Sequence, residues 1–163
     1  MARKIKFEVD EWYHCYNRGV DKRVIFDNDY DYSRFIKLLY ICNHSQSIVF
    51  RDLLTNIPRG EFFDFPADQS LVDIRAYCLM PNHFHLLLDY KKEGGISFFM
   101  QKLLTAYSKY YNSKKKRSGS LFGGNFKATH LNMDEYLQYI YSYSVILAVL
   151  QKDLIKYDLL KLR

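Results

Sequence analysis

The sequence predicts an α+β protein with a mainly antiparallel sheet. Stretches rich in β-branched and aromatic residues alternate with stretches of helical periodicity, and Gly, Pro and Asn separate them. The resulting order is strand, helix, strand, strand, helix, strand, helix. Its first six elements give the ferredoxin-like β-α-β-β-α-β topology, in which the strands form one antiparallel sheet.

The first strand and the first helix come from the N-terminal part of the chain. Glu11 to Asn17 is rich in aromatic residues and typical of a strand. Arg18 to Arg23 then reads as a loop with three positive charges. Asp27-Asn28-Asp29 offers caps for a helix that ends near Cys42, and apolar residues recur along it at helical spacing.

A hairpin follows a stretch with no clear pattern. Residues 43–70 show no sustained periodicity, which predicts an insertion within a single domain spanning residues 1–163. Leu71 to Met80 and His83 to Tyr90 are rich in strand-forming residues. The turn Met80-Pro81-Asn82 should join them as the two arms of the hairpin.

The C-terminal part supplies a helix, a strand and a last helix. Ile96 to Asn112 places apolar residues on one broad face, which predicts an amphipathic helix. A flexible basic loop, Ser113 to Ser120, separates it from a strand at Asn125 to Leu131. Asn132 to Glu135 forms a capping box, so a helix should begin there and continue to about Leu150.

Positive charge is concentrated in residues 91–127. This segment holds nine Lys or Arg and one Glu, a net charge of +8, whereas the whole chain carries +6. Such a concentration suits binding to a phosphate backbone. A solvated charged surface would give the same pattern, so the charge alone leaves both interpretations open.

Neither a membrane protein nor a disulfide-rich protein is indicated. No apolar run approaches the roughly 20 residues that a membrane span needs, and the N-terminus lacks the apolar stretch of a signal peptide. Cys15, Cys42 and Cys78 are odd in number and widely spaced, so we expect reduced core residues. These features predict a cytoplasmic protein.

Two histidines separated by one residue follow the hairpin turn. A strand turns residues i and i+2 to the same face, so His83 and His85 should point together while Phe84 enters the core. Two imidazoles aimed at one point are half of a metal site or a catalytic pair. By itself the motif fits partly buried structural histidines equally well.

The run Tyr77 to Leu88, Tyr-Cys-Leu-Met-Pro-Asn-His-Phe-His-Leu-Leu-Leu, closely resembles the His-hydrophobe-His signature of the HUH single-tyrosine transposases. The resemblance is greatest to the REP-associated tyrosine transposases, an IS200-like branch. Further pieces of the family pattern occur in the same order at Tyr13–Val20, Leu121–Ala128 and Asp134–Ile140. The insertion at 43–70 and the tail at 141–163 depart from that pattern.

The resemblance implies an enzyme that cleaves and rejoins single-stranded DNA through a covalent 5′-phosphotyrosine. It places the nucleophile at Tyr139, on the C-terminal helix, and a divalent ion, Mg²⁺ or Mn²⁺, on His83 and His85. The family's third ligand is Asn or Gln one helical turn after the nucleophile. Here that position is Tyr143, and a neutral phenol is a poor ligand for a hard ion.

Loop and helix cations would hold the DNA backbone: Arg18, Lys102, Lys114, Lys115, Lys116, Arg117 and Lys127. By resemblance the DNA would have hairpin ends, and the protein would be a monomer or a homodimer. A catalytically decayed nucleic-acid-binding module of the same fold is the alternative, since basic residues and aromatics would serve binding alone. A structural zinc site is a further alternative, but it needs more soft ligands than two histidines.

Overall fold

The computed structural model of the chain describes residues 6–45 and 70–132. Within these ranges the elements follow the predicted order. They are β1 (Trp12–Arg18), a short 3₁₀ turn (Val20–Lys22), α1 (Asp29–Cys42), β2 (Asp73–Met80), β3 (His83–Asp89), α2 (Gly95–Lys114) and β4 (Lys127–Leu131). The predicted last helix and tail lie outside the described residues.

The four strands form one antiparallel sheet in the order β2-β3-β1-β4. This is the ferredoxin-like arrangement, and it confirms the predicted α+β fold. β1 lies inside the sheet, between β3 and β4. It therefore brings residues near the N-terminus beside the histidine strand.

The core lies between one face of the sheet and the two helices. Tyr13 and Cys15 of β1 and Phe84 of β3 are almost fully buried there. The ring of Phe35 in α1 contacts Phe84, with centroids 4.9 Å apart, and it meets Tyr107 of α2 edge to face at 5.0 Å. Because side chains alternate along a strand, the residues between these core positions face the other side of the sheet.

Several predicted boundaries shift by one or two residues; α2, for example, continues to Lys114, although the sequence predicts a loop from Ser113. Strand pairing explains two of the shifts. The sequence predicts that a loop begins at Arg18, but Arg18 is the last residue of β1 because it pairs with His83 of β3. β4 begins at Lys127 rather than Asn125, since its pairing with β1 begins at the partners Lys127 and Tyr16. The predicted loop after Arg18 contains the short 3₁₀ turn.

Asn43 joins the two described ends of the predicted insertion. Its side-chain Oδ1 accepts hydrogen bonds from the N–H groups of Leu71 and Val72, at 3.1 and 3.0 Å. Its Nδ2 donates to the Val72 carbonyl, and His44 forms an isolated bridge with Ser70. Residues 46–69 themselves lie outside the described ranges, so the insertion stays a prediction.

Cys15, Cys42 and Cys78 are buried, as predicted, and none of the three forms a disulfide bond. Burial raises the pKa of the Cys42 thiol to about 11, which keeps it protonated at neutral pH. Neither α1 nor α2, the two α-helices in the described ranges, is long and apolar enough to cross a membrane.

A buried ion pair fastens the start of α1 to the end of α2. Asp31 is fully buried, and its two carboxylate oxygens accept hydrogen bonds from Lys114 Nζ at 2.6 and 2.7 Å. Tyr110 Oη and the Asp27 N–H also donate to it. Burial alone would raise the pKa of Asp31, but the hydrogen bonds from Lys114 and Tyr110 outweigh it and lower the pKa.

We predict that Asp31→Asn lowers the free energy of unfolding at pH 7 by about 3 kcal/mol, because it breaks a buried pair. The folded-state pKa is depressed, so the carboxylate stabilises the protein above its unfolded pKa of about 3.9 and this contribution is lost as pH falls through the folded pKa. Urea unfolding should show that the difference in free energy of unfolding between wild type and variant is smaller at pH 3 than at pH 7. The exposed Asp29→Asn is the control. A difference that does not change with pH would contradict the assignment.

Candidate functional site

The sheet face opposite the helices carries the two predicted histidines. His83 and His85 share this face, and Phe84 between them is fully buried on the other. The imidazole centroids of His83 and His85 are 5.0 Å apart, with the rings nearly perpendicular. The alternation predicted from the sequence is therefore confirmed, and the two imidazoles lie close together.

Each histidine is held through its Nδ1 atom. His83 Nδ1 lies 2.6 Å from Asn82 Oδ1, and His85 Nδ1 lies 2.7 Å from Nε2 of His14 on β1. The rings of His14 and His85 are within 16° of parallel, with centroids 5.0 Å apart. The distance between the centroids exceeds the distance between His14 Nε2 and His85 Nδ1 by about two ring radii. The two rings therefore lie side by side, edge to edge, and their nitrogens form a hydrogen bond. In both histidines, Nε2 is therefore the ring nitrogen that lies on the side away from these partners.

The electrostatic surroundings keep the imidazoles neutral. Burial lowers the pKa of His85 to about 4, and the neighbouring His14, His83 and Arg18 act in the same direction. Burial also lowers the pKa of His14 to about 4. The pKa of His83 is lowered by burial and by the charge of Arg18. At neutral pH all three are in the uncharged form, which is the form that binds metal ions.

Residues of β1 line the site because of its register with β3. Tyr16 is opposite His85, and Arg18 is opposite His83. The Tyr16 ring lies roughly parallel to those of His14 and His85, with centroids 4.9 and 5.7 Å away. The exposed Arg18 therefore puts a guanidinium at the edge of the histidine pair, where an anion could meet both.

The histidine pair fits part of the coordination of a divalent ion. Neutral imidazole nitrogens are common ligands for divalent metal ions in proteins. In residues 6–45 and 70–132, no group of three or more His, Cys, Asp or Glu side chains is arranged to hold a metal. Asp89 shares the face of the histidines, but Arg75 Nη2 contacts its carboxylate at 2.7 Å. The predicted third position, Tyr143, and the predicted nucleophile, Tyr139, both lie outside these ranges.

Several of the predicted DNA-binding cations have partners within the protein. Lys114 pairs with the buried Asp31, and Lys115 lies 3.2 Å from Asp27. Lys102 donates to the carbonyl of His44, and Arg117 donates to the Asn112 side chain and to the Ser120 carbonyl. In the part of the chain that the structure describes, no ion pair involves the remaining three: Arg18, Lys116 and Lys127.

The basic loop reaches the same end of the sheet as Arg18. After α2 the chain returns to β1, where Gly19 forms a bridge with Phe122, and Gly123 N–H donates to the Arg18 carbonyl at 2.9 Å. Lys127 follows at the start of β4, directly opposite Tyr16. Arg18 thus lies on β1, the strand next to the histidine pair, and Lys127 lies one strand farther away, on β4. Lys116 lies in the loop that leads to β4.

Sequence reasoning missed His14, Tyr16 and Asn82 as site residues. His14 and Tyr16 have the same i, i+2 spacing as the histidine pair, which is an available sign that they share a face. Nothing in the spacing shows that this face adjoins His85, since the pairing of β1 with β3 spans about 70 residues of sequence. The sequence pattern around Asn82 indicates only a turn.

Residues 32–143 match the sequence profile of the family described as transposase IS200 like. A solved structure from Deinococcus radiodurans R1, provisionally described as a transposase, is 15% identical. The match covers 89% of this chain and 97% of that one, with a TM-score of 0.48. A REP-associated tyrosine transposase bound to a REP hairpin is 8% identical over 93% of this chain and 75% of that one, also with a TM-score of 0.48. No curated protein sequence matches.

Proposed function

Because the chain belongs to the IS200-like transposase family, we propose that it cleaves and rejoins single-stranded DNA by metal-dependent transesterification, through a covalent 5′-phosphotyrosine. The observation that carries the proposal is the convergence of two neutral imidazoles, His83 and His85, beside the exposed guanidinium of Arg18. Metal ligands and a phosphate-binding cation are the groups that phosphoryl transfer requires.

His83 and His85 would hold Mg²⁺ or Mn²⁺ through their Nε2 atoms. When bound, the ion would supply Lewis-acid polarisation of the scissile phosphate. Arg18, opposite His83, would donate hydrogen bonds to a phosphate oxygen and fix the orientation of the backbone, since a guanidinium matches phosphate in two-point contacts. Lys116 and Lys127 would hold the flanking backbone.

The covalent step needs a hydroxyl nucleophile. The Tyr139 oxygen would attack phosphorus, forming a phosphotyrosine bond while the bond from phosphorus to the 3′ oxygen breaks. The tyrosine proton is lost and the 3′ oxygen leaves as a hydroxyl, so atoms and charges balance. Attack by another 3′-hydroxyl on the phosphotyrosine reverses the step and rejoins the strand. A strand with hairpin ends is the substrate that the family resemblance favours, and the cytoplasm is the compartment that the sequence predicts.

We predict that Tyr139→Phe abolishes the covalent adduct with labelled single-stranded DNA in Mn²⁺ and leaves DNA binding intact, because only the hydroxyl is removed. Tyr143→Asn should increase adduct formation and lower the metal requirement, because it restores a carbonyl ligand four residues after Tyr139, which is one turn later in the predicted helix. Denaturing gels detect the adduct. An adduct that persists in Tyr139→Phe but vanishes in Tyr143→Phe would make Tyr143 the nucleophile.

We predict that His83→Ala and His85→Ala each abolish Mn²⁺-dependent cleavage while the DNA dissociation constant stays within about threefold, because the ion acts at one phosphate among several contacts. His130→Ala is the matched control, since His130 pairs with Glu11 and lies opposite Tyr13, on the other face of the sheet. Wild-type cleavage in both site variants would exclude the metal role. Tight binding without cleavage by any variant, wild type included, would favour the binding module.

We predict that Arg18→Gln and Lys127→Gln flatten the salt dependence of single-stranded DNA binding. In a plot of the logarithm of the binding constant against the logarithm of the salt concentration, each substitution should change the slope by about 0.7. The reason is that each removes the cation that neutralises one phosphate. Lys91→Gln is the control, because it removes the same charge from a residue that pairs with Asp73 near the start of β2, away from Arg18. Fluorescence anisotropy at several salt concentrations gives the slopes. Equal slopes for wild type and both site variants would remove this face of the sheet from the interface.

A further inference from the structure

The turn between β2 and β3 is clamped to the loop that follows β1. The Pro81 carbonyl accepts hydrogen bonds from the N–H groups of Ile25 and Phe26, at 2.8 and 3.1 Å. The Asn82 carbonyl accepts from the Gly19 N–H at 2.9 Å. Backbone hydrogen bonds alone therefore fix the turn that precedes His83 to the end of β1 that carries Arg18.

The side chain of Asn82 bridges His83 and the same loop. Its Nδ2 donates to the Lys22 carbonyl at 3.3 Å, and its Oδ1 lies 2.6 Å from His83 Nδ1. The reversed amide would direct Oδ1 at the Lys22 carbonyl, so that two acceptors would face each other. The orientation with Oδ1 towards His83 satisfies both contacts.

This orientation determines where the proton of His83 resides. Since Asn82 Oδ1 can only accept, His83 Nδ1 must donate and must carry the proton. In a neutral imidazole the other nitrogen, Nε2, then has the lone pair. Metal-binding histidines usually donate their second N–H to an oxygen in this manner, which fixes the ring orientation and raises ligand basicity.

We propose that Asn82 is a positioning residue that fixes the proton of His83 on Nδ1, presents Nε2 as the ligand atom and ties this imidazole to the loop after β1. The use of Nε2 by an ion rests on the proposed function. The position of the proton rests on the hydrogen bonds of Asn82 alone.

The loop that follows β1 contains strained backbone conformations. Asp21 and Lys22 both have positive φ angles, 53° and 58°, which cost energy for residues other than Gly. A Cβ atom at Gly19 would lie 2.3 Å from the Arg23 carbonyl oxygen, so the loop folds closely on itself. The contact from Asn82 to Lys22 thus helps hold a strained loop beside His83.

Two substitutions separate the contacts of Asn82. Asn82→Asp keeps an acceptor for His83 Nδ1 but has no donor for the Lys22 carbonyl, whereas Asn82→Ala removes both. Asn28→Ala is the matched control, because Asn28 caps α1 by accepting from Asp31 N–H and does not contact either histidine. Loss of this cap lowers stability but should not affect the proton of His83.

The test is the tautomer of His83 in the full-length, metal-free chain, measured by long-range ¹H–¹⁵N correlation of the imidazole rings. We expect the Nδ1–H form in wild type, Asn82→Asp and Asn28→Ala, and a shift towards Nε2–H in Asn82→Ala. The Mn²⁺ dissociation constant, measured by calorimetry, should rise about 10–100-fold in Asn82→Ala and much less in Asn82→Asp.

An Nε2–H form in wild type, or an unchanged tautomer in Asn82→Ala, would overturn the proposal. If Asn82→Ala does not fold, the wild-type tautomer decides by itself. The outcomes also separate this proposal from the proposed function. Absence of DNA cleavage with His83 protonated on Nδ1 refutes the function only, whereas cleavage with His83 protonated on Nε2 refutes the role of Asn82.

Discussion

The antiparallel pairing of β1 with β3 is the constraint on which the candidate site depends. Its register places Arg18 opposite His83 and Tyr16 opposite His85. It also brings His14 within hydrogen-bond distance of His85. A slip of one residue would turn the polar side chains of β1 towards the helices and its core residues towards the site. Burial of Tyr13 and Cys15 against α1 and α2 therefore fixes the geometry of the opposite face.

The structure also changes how the basic segment is interpreted. The net charge of +8 over residues 91–127 suggests a broad phosphate-binding surface. In the structure, part of that charge serves the fold, most clearly Lys114, which neutralises the buried Asp31 and joins α1 to α2. Arg18 lies outside the segment but beside the histidines. Its position relative to His83 makes it a stronger candidate for a phosphate contact than any lysine of the loop.

Local periodicity in the sequence predicts the helices and strands, whereas the contacts between distant residues depend on how the strands and helices pair. The i, i+2 spacing of His83 and His85 and the turn before them are sufficient to predict a hairpin with both imidazoles on one face, because these features depend only on neighbouring residues. The partners His14 and Asp31 could not be predicted, since each contact joins residues about 70 to 80 positions apart. For the same reason the sequence places Arg18 in a loop, although it is the last paired residue of β1. The roles of Tyr139 and Tyr143 stay predictions.

The proposed chemistry requires His83 and His85 to present two nitrogen ligands to one divalent ion. Electron spin echo envelope modulation of Mn²⁺ bound to the full-length chain tests this requirement, because the method detects nitrogen nuclei coordinated to the ion. We expect coupling from two imidazole nitrogens in wild type, from one in His83→Ala or His85→Ala, and from none in the double variant. A bound ion with only oxygen ligands in wild type, or a signal unchanged in the double variant, would contradict the two-histidine site.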